Sequence, residues 1–317
     1  MSKYILMGAN AIIRPPRYEY DINSLPNEIN NPYYGIIPRH SISFENSKKQ
    51  KIVGSFFAPR EEIPEMSCII YLHGNASSQH EGMFLVPIFI PYGVAVLTFD
   101  FSGCGLSDGQ YVSLGYFERD DVTCAIEFVR KNFNVGRVAL WGRSMGAATT
   151  LYALADDPTI SAAVIDSPFA SLPDLVKEIA ARVHVPGFLA SIGKSLIAKK
   201  IKELANFDIS KLVPIEVASS CFSPVRFVHG EQDDFISKTH SEKIFEKYSG
   251  EDKEIFIVPG KHNSRRPLDT ELCCIMFLAN YLNAPLVYEE VVTTLSGGAS
   301  YQHFENVEEM MFAMEGE

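Results

Sequence analysis

From residue 68 onward, short continuous apolar runs alternate with longer stretches in which apolar residues recur every three to four positions. The short runs have the character of strands buried on both faces, and the longer ones of helices with one apolar side. The pattern predicts strands at 68–72, 94–99, 138–141, 162–165, 225–228 and 255–258. It predicts helices at 80–91, 114–133, 145–156, 237–248 and 268–282. Phe117, Val122, Ile126, Val129 and Phe133 mark the inner face of the 114–133 helix. Upstream, residues 41–44 and 51–57 flank the polar turn Asn46-Ser-Lys-Lys-Gln50 and predict an antiparallel hairpin. Alternation of this kind implies an α/β fold: a mostly parallel, doubly wound sheet with helices on both faces. Sites in such sheets lie at the carboxyl ends of the strands.

Three stretches depart from the alternation. Residues 1–38 are proline-rich, with Arg14-Pro-Pro-Arg-Tyr18 and further prolines at 32 and 38, and are expected to be irregular and to wrap the surface. Residues 168–213 hold helix-like material broken at Pro186-Gly187, expected to form a cap inserted into a domain spanning 39–283. Leu172, Leu175, Val176, Ile179 and Val183 mark one apolar face of that cap. Leu196, Ile197, Ile201 and Leu204 mark another, opposite Lys194, Lys199, Lys200 and Lys202. These faces either pack on the body or form an acyl-chain site, with Leu196 and Ile201 as its candidate residues, or a basic surface for anionic lipid. Residues 284–317 carry seven glutamates and no lysine or arginine, and are expected to be a partly ordered tail in which 307–314 forms a short docking helix.

The formal net charge of −11 argues against a nucleic-acid partner, because phosphate binding needs a basic face. The tail accounts for −7 of it, so the remainder is only mildly acidic. Six cysteines form no C-x-x-C pair and no disulfide framework, and Cys68, Cys124 and Cys273 fall in apolar runs. The first residues lack a signal-peptide core, Ser2 stands where myristoylation needs glycine, and no run reaches the ~18 apolar residues of a membrane span. A cytoplasmic setting is the expectation, with no prediction of oligomeric state.

The chemistry gathers at Gly142-Arg-Ser144-Met-Gly146, a G-x-S-x-G turn between a strand and a helix. A serine hydroxyl needs a base to take its proton, and that base needs a third group to orient it. Two later strand ends supply both: Val225-Arg-Phe-Val-His-Gly230-Glu-Gln-Asp233-Asp234 and Ile255-Phe-Ile-Val-Pro-Gly260-Lys-His262. The predicted triad is Ser144, Asp233 and His262. Asp233, three residues past Gly230, is favoured over Asp234, while Asp166 is read as structural, as are His73 and His229. The oxyanion is expected to meet the backbone amides of Met145 and of Asn75 or Ala76, with Asn75 preferred, in His73-Gly74-Asn75-Ala76. Asp100-Phe-Ser-Gly103-Cys-Gly105 lacks the third glycine of a dinucleotide fingerprint, because position 108 is aspartate. With no phosphate-cradling or H-E-x-x-H motif either, no cofactor and no metal are implied.

Taken in order, His73-Gly74-Asn75, Asp100-x-x-Gly103-x-Gly105, Gly142-x-Ser144-x-Gly146, His229-Gly230-x-x-Asp233 and Gly260-x-His262 resemble the α/β-hydrolase superfamily over about residues 40–282. Within it the chain looks like the serine aminopeptidase-like and prolyl-oligopeptidase-like single-domain hydrolases. It also looks like abhydrolase depalmitoylases, whose Pro-Pro…Tyr segment is similar to Pro15-Pro16-Arg17-Tyr18. It departs from those in lacking an N-terminal cysteine cluster, and from oligopeptidases in lacking a propeller. The resemblance implies a serine hydrolase with triad Ser144, Asp233, His262 and donors near Asn75 and Met145. The expected substrate is a small molecule, acyl-protein or peptide. An ester or thioester comes first, a peptide bond second, and a catalytically silent binding module is the alternative of another class.

Overall fold

The computed structural model describes residues 2–61, 63–182 and 187–296. Val183, Pro186, His303 and the expected 307–314 helix lie outside the described residues. The chain begins with α1 (Ser2–Ile13) and a small antiparallel pair, β1 (Glu28–Asn31) and β2 (Gly35–Pro38). Then come β3 (His40–Glu45), β4 (Lys51–Phe57), β5 (Met66–Leu72), α2 (Val86–Phe89) and β6 (Val94–Phe99). The central run is α3 (Glu118–Phe133), β7 (Val135–Arg143), α4 (Met145–Asp156) and β8 (Ile160–Asp166). After α5 (Leu172–Arg182) and α6 (Gly187–Ala205) follow β9 (Val225–Gly230), α7 (Thr239–Lys247), β10 (Lys253–Val258), α8 (Leu268–Tyr281) and α9 (Tyr288–Ser296).

Eight strands form one sheet in the order β10-β9-β8-β7-β5-β6-β4-β3. From β10 to β6 every pairing is parallel; β4 pairs antiparallel with both β6 and β3. β6 flanks β5 on one side and β7 flanks it on the other, so the winding direction reverses at β5. A crevice therefore opens at the carboxyl ends of β5 and β7, where connections leave in opposite directions.

Alternation along each strand feeds two core layers. Val138 and Leu140 of β7 enter one with Val122, Ile126 and Val129 of α3, and with Ala147 and Leu151 of α4. Ala139 and Trp141 enter the other with α2 and with Leu272, Ile275 and Leu278 of α8. Strands such as β5 and β6, buried at every position, are covered by a helix layer on each face.

The N-terminal expectation needs correction: Ser2–Ile13 is helical. Prolines begin only at Pro15, and Ser2–Ile13 is almost wholly apolar, so no polar face announced the helix. Tertiary packing supplies the reason, since Ala9 and Ile13 are fully buried in a third cluster with Leu172 and Leu175 of α5 and Ile201 of α6. Within the segment expected to be a partly ordered tail, α9 buries Val291 and Leu295 in the same layer as α2 and α8. The segment 80–91 forms a 3-10 turn and the single-turn α2 instead of one continuous helix. Among the described residues no helix is long and apolar enough to cross a membrane.

Candidate active site

Ser144 is the single residue between β7 and α4. Its φ of 52° and ψ of −112° place it in the left-handed half of backbone space, a strain held by what surrounds it. Glycine is required on both sides. A Cβ at Gly142 would lie 2.3 Å from the Gly146 oxygen, and one at Gly146 would lie 1.9 Å from the Leu72 oxygen. The Ser144 amide donates to the Asp166 carbonyl at the end of the adjacent strand, 2.8 Å away. The hydroxyl is thus raised at the crevice, at the N-terminus of α4.

Two loops bring the imidazole and the carboxylate to it. Nε2 of His262 lies 3.0 Å from the Ser144 Oγ, and Nδ1 lies 2.7 Å from Oδ2 of Asp233. Those contacts fit one tautomer: Nδ1–H donates to the carboxylate, leaving Nε2 to accept the hydroxyl proton. His262 is nearly buried, with the Phe235 ring edge-on to it at a centroid distance of 5.2 Å. The Asp233 side chain is completely buried and fully used. Oδ1 accepts from the amides of Phe235 and Ile236 at 3.0 and 2.8 Å, and His229 Nε2 approaches Oδ2 at 3.2 Å. Burial alone would raise the Asp233 carboxyl, but hydrogen bonds from His229 and His262 hold it well below the usual carboxylate range. Asp234 points elsewhere, to an exposed ion pair with Lys261 at 3.2 Å.

The loop after β5 closes the other side. A Cβ at Gly74 would stand 3.8 Å from the Ser144 Cβ, so His73-Gly74-Asn75 runs beside the Ser144 turn. His73 is internal: Nδ1 meets the Gly74 oxygen at 2.7 Å, and Nε2 accepts from the Phe101 amide at 3.0 Å. Oδ1 of Asn75 is buried with no hydrogen-bond partner among the described residues. Met145, whose amide begins α4, is buried.

Sequence reasoning did not single out the two arginines behind these loops. Arg266 grips Asp166 through Nε at 3.1 Å and Nη2 at 2.7 Å, and donates to Ser167 Oγ and the Lys261 carbonyl. Burial would raise the Asp166 carboxyl, yet the Arg266 guanidinium beside it keeps it below its ordinary value. Arg143 Nη2 donates to the His262 carbonyl at 2.8 Å, and Arg266 Nη2 reaches the same oxygen at 3.3 Å. The adjacency of Arg143 to Ser144 was the one signal available.

Of the two candidate cap residues, Ile201 is fully buried against Ala9, Ile13 and Phe207, while Leu196 is half-buried on the same helix. Helix α5 meets the loop after β9 where Arg182 donates to the carbonyls of Asp234 and Phe235. Gly103 and Gly105 serve a turn around the Asp100 carboxylate, which accepts from the amides of Gln79 and Leu106 and from the Tyr20 hydroxyl. Among the described residues no three His, Cys, Asp or Glu side chains are placed to hold a metal ion.

A serine lifted on a strained turn at the switch point of an eight-stranded, mostly parallel sheet defines a class. The chain has the α/β-hydrolase fold. Within that class, residues 64–211 match the family profile described as serine aminopeptidase, S33. The chain is 29% identical to the uncharacterized Bacillus subtilis protein YqkD over 61% of its own length and 64% of that protein's, so the similarity spans less than two thirds of YqkD. It is 28% identical to the uncharacterized Escherichia coli protein YfhR, over 70% of this chain and 72% of that one. Among solved structures, the Pyrococcus furiosus esterase Pf2001 superposes with a TM-score of 0.62 at 19% identity, covering 86% of this chain and 97% of that one. An acetyl xylan esterase from Paenibacillus sp. R4 superposes at 0.63 with 18% identity, covering 89% and 95%.

Proposed function

We propose that the chain is a serine hydrolase that opens an ester or thioester carbonyl through an acyl-Ser144 intermediate. The observation that carries this reading is the continuous hydrogen-bond chain from Ser144 Oγ through both ring nitrogens of His262 to Asp233, at 3.0 and 2.7 Å. As Oγ attacks the carbonyl carbon, Nε2 takes the hydroxyl proton, and Asp233 stabilises the imidazolium that forms. The amides of Asn75 and Met145 serve as donors to the oxyanion, each worth roughly 10²–10³ in turnover. Nε2 then returns the proton to the leaving alcohol or thiol. Water repeats the sequence at the acyl carbon, releasing the acid and restoring Ser144.

Ester chemistry comes first because solved structures of like fold include the esterase Pf2001 and an acetyl xylan esterase. A peptide-bond substrate is the second reading, favoured by the match to a profile described as serine aminopeptidase. The deciding experiment labels the folded protein with a fluorophosphonate and then offers p-nitrophenyl esters of graded chain length, acyl-thioesters and aminoacyl amides. Labelling is expected in the native chain and absent in Ser144→Ala, with turnover confined to esters and thioesters. Turnover of the amides alone would select the peptidase. A native, well-folded protein that takes no label and turns over none of the panel would make this a binding module instead. Leu196→Ser is expected to shorten the preferred acyl chain, and an unchanged preference removes the cap from the substrate site.

A further inference from the structure

Arg143 immediately precedes Ser144 in the Gly142–Gly146 turn, and its side chain reaches the two loops that face Ser144. Nη2 donates to the main-chain carbonyl of His262 at 2.8 Å. Nη1 lies 3.5 Å from Oε1 of Glu81, and the other Glu81 oxygen, Oε2, accepts from the Gly74 amide at 2.9 Å. Both partners of this ion pair are largely withdrawn from solvent, with side-chain exposures of 16% and 14%. One guanidinium therefore ties together the serine turn, the loop carrying the base, and the loop offering the Asn75 amide.

Each of these contacts fixes a backbone that holds a reacting group. The carbonyl gripped by Arg143 belongs to His262 itself, so its position sets where the imidazole stands relative to Ser144 Oγ. Glu81 holds the amide immediately before Asn75, and so sets the orientation of the next peptide. The planar fork of arginine can hold a carboxylate and a carbonyl at once from fixed directions, which a single ammonium cannot. Reaction rates depend steeply on such placement, since an error of about 1 Å costs on the order of 10² in rate.

We infer that Arg143 and Glu81 form a positioning pair that sets the Ser144–His262 contact and the Asn75 amide as one unit. The inference rests on the proposed Ser144 chemistry. Arg266, which also reaches the His262 carbonyl, is anchored instead on Asp166.

The test measures kcat, KM and the single-turnover acylation rate with a short p-nitrophenyl ester, alongside the melting temperature. Arg143→Met is expected to lower kcat and the acylation rate about 10- to 100-fold with KM within about threefold. Arg143→Lys should recover part of the loss. The isosteric Glu81→Gln, which preserves packing should Arg143→Met fold poorly, is expected to reduce acylation in the same way by a smaller factor. The double variant should be no worse than Arg143→Met, because the second change breaks a link already lost. Acylation at the native rate in either single variant would overturn the inference, as would losses that simply multiply in the double variant. Ser144→Ala keeps the two questions apart. Inactive Ser144→Ala with fully active Arg143→Met defeats the positioning pair alone, whereas an active Ser144→Ala defeats the proposed chemistry and the pair with it.

Discussion

At the scale of single residues, the site depends on side chains whose neighbours leave them little freedom. Asp233 has its carboxylate filled by two amides and two imidazoles, whereas Asp234, one residue on, faces solvent beside Lys261. Asp233→Asn is expected to cost about 10⁴ in kcat by favouring the wrong His262 tautomer, and Asp234→Asn to cost almost nothing; steady-state kinetics on the two variants decides it. His262→Ala should lose several orders of magnitude in turnover while its melting temperature stays near that of the native chain, because Asp233 keeps His229 and both amides as partners. Gly146→Ala is a different case. Its methyl would meet the Leu72 carbonyl at 1.9 Å, and a denaturant titration is expected to show a loss of about 3 kcal/mol or more. The three side chains could be singled out in the sequence because each follows a strand-like run. The hydrogen-bond lengths, and the two arginines that meet at the His262 carbonyl, could not, since no local pattern marks which distant backbone a guanidinium will reach.

Elements show where local pattern sufficed and where packing took over. Helix α3 was legible because its apolar stripe is regular and its first turn is acidic, with Glu118, Asp120 and Asp121 at the positive end of the helix. One of these acids also carries a cost. Asp121 is buried, and desolvation pushes its carboxyl up to about 7, although Asn46 and the Ser102 amide donate to it. An unfolded aspartate ionises near 3.9, so folding takes up a proton between that value and about 7. This group therefore favours the folded state most at low pH, loses that contribution as pH rises through the window, and opposes folding fully above it. Melting temperatures measured from pH 5 to 8 are expected to fall less steeply in Asp121→Asn than in the native chain; identical slopes would show that Asp121 does not titrate there. Helix α1 was illegible for the opposite reason. Its sequence is apolar nearly all round, and only contact with α5 and α6 turns it into a packed helix. Ile201→Ala, which opens a cavity in that contact, is expected to cost about 2–5 kcal/mol in unfolding free energy.

Across the whole molecule, the reversal of winding at β5 brings the ends of β5 and β7 to one crevice, and the loops after β9 and β10 reach over to meet them. The Asp166–Arg266 pair fastens this arrangement from below. Both side chains are almost wholly buried, and they join the end of β8 to the loop that carries His262. Arg266→Met would strand the Asp166 carboxylate in the interior and is expected to cost about 3–5 kcal/mol, read as a lowered denaturation midpoint. The sequence by itself determined the alternating α/β layout, the glycine-flanked turn at Ser144 and the order of the chemical groups, because periodicity and turn chemistry are encoded within a few residues of each other. The tertiary structure alone decided which strands became neighbours, how near the imidazole stands to the hydroxyl and which charges were buried together, because those outcomes depend on surfaces meeting across more than a hundred residues of intervening chain.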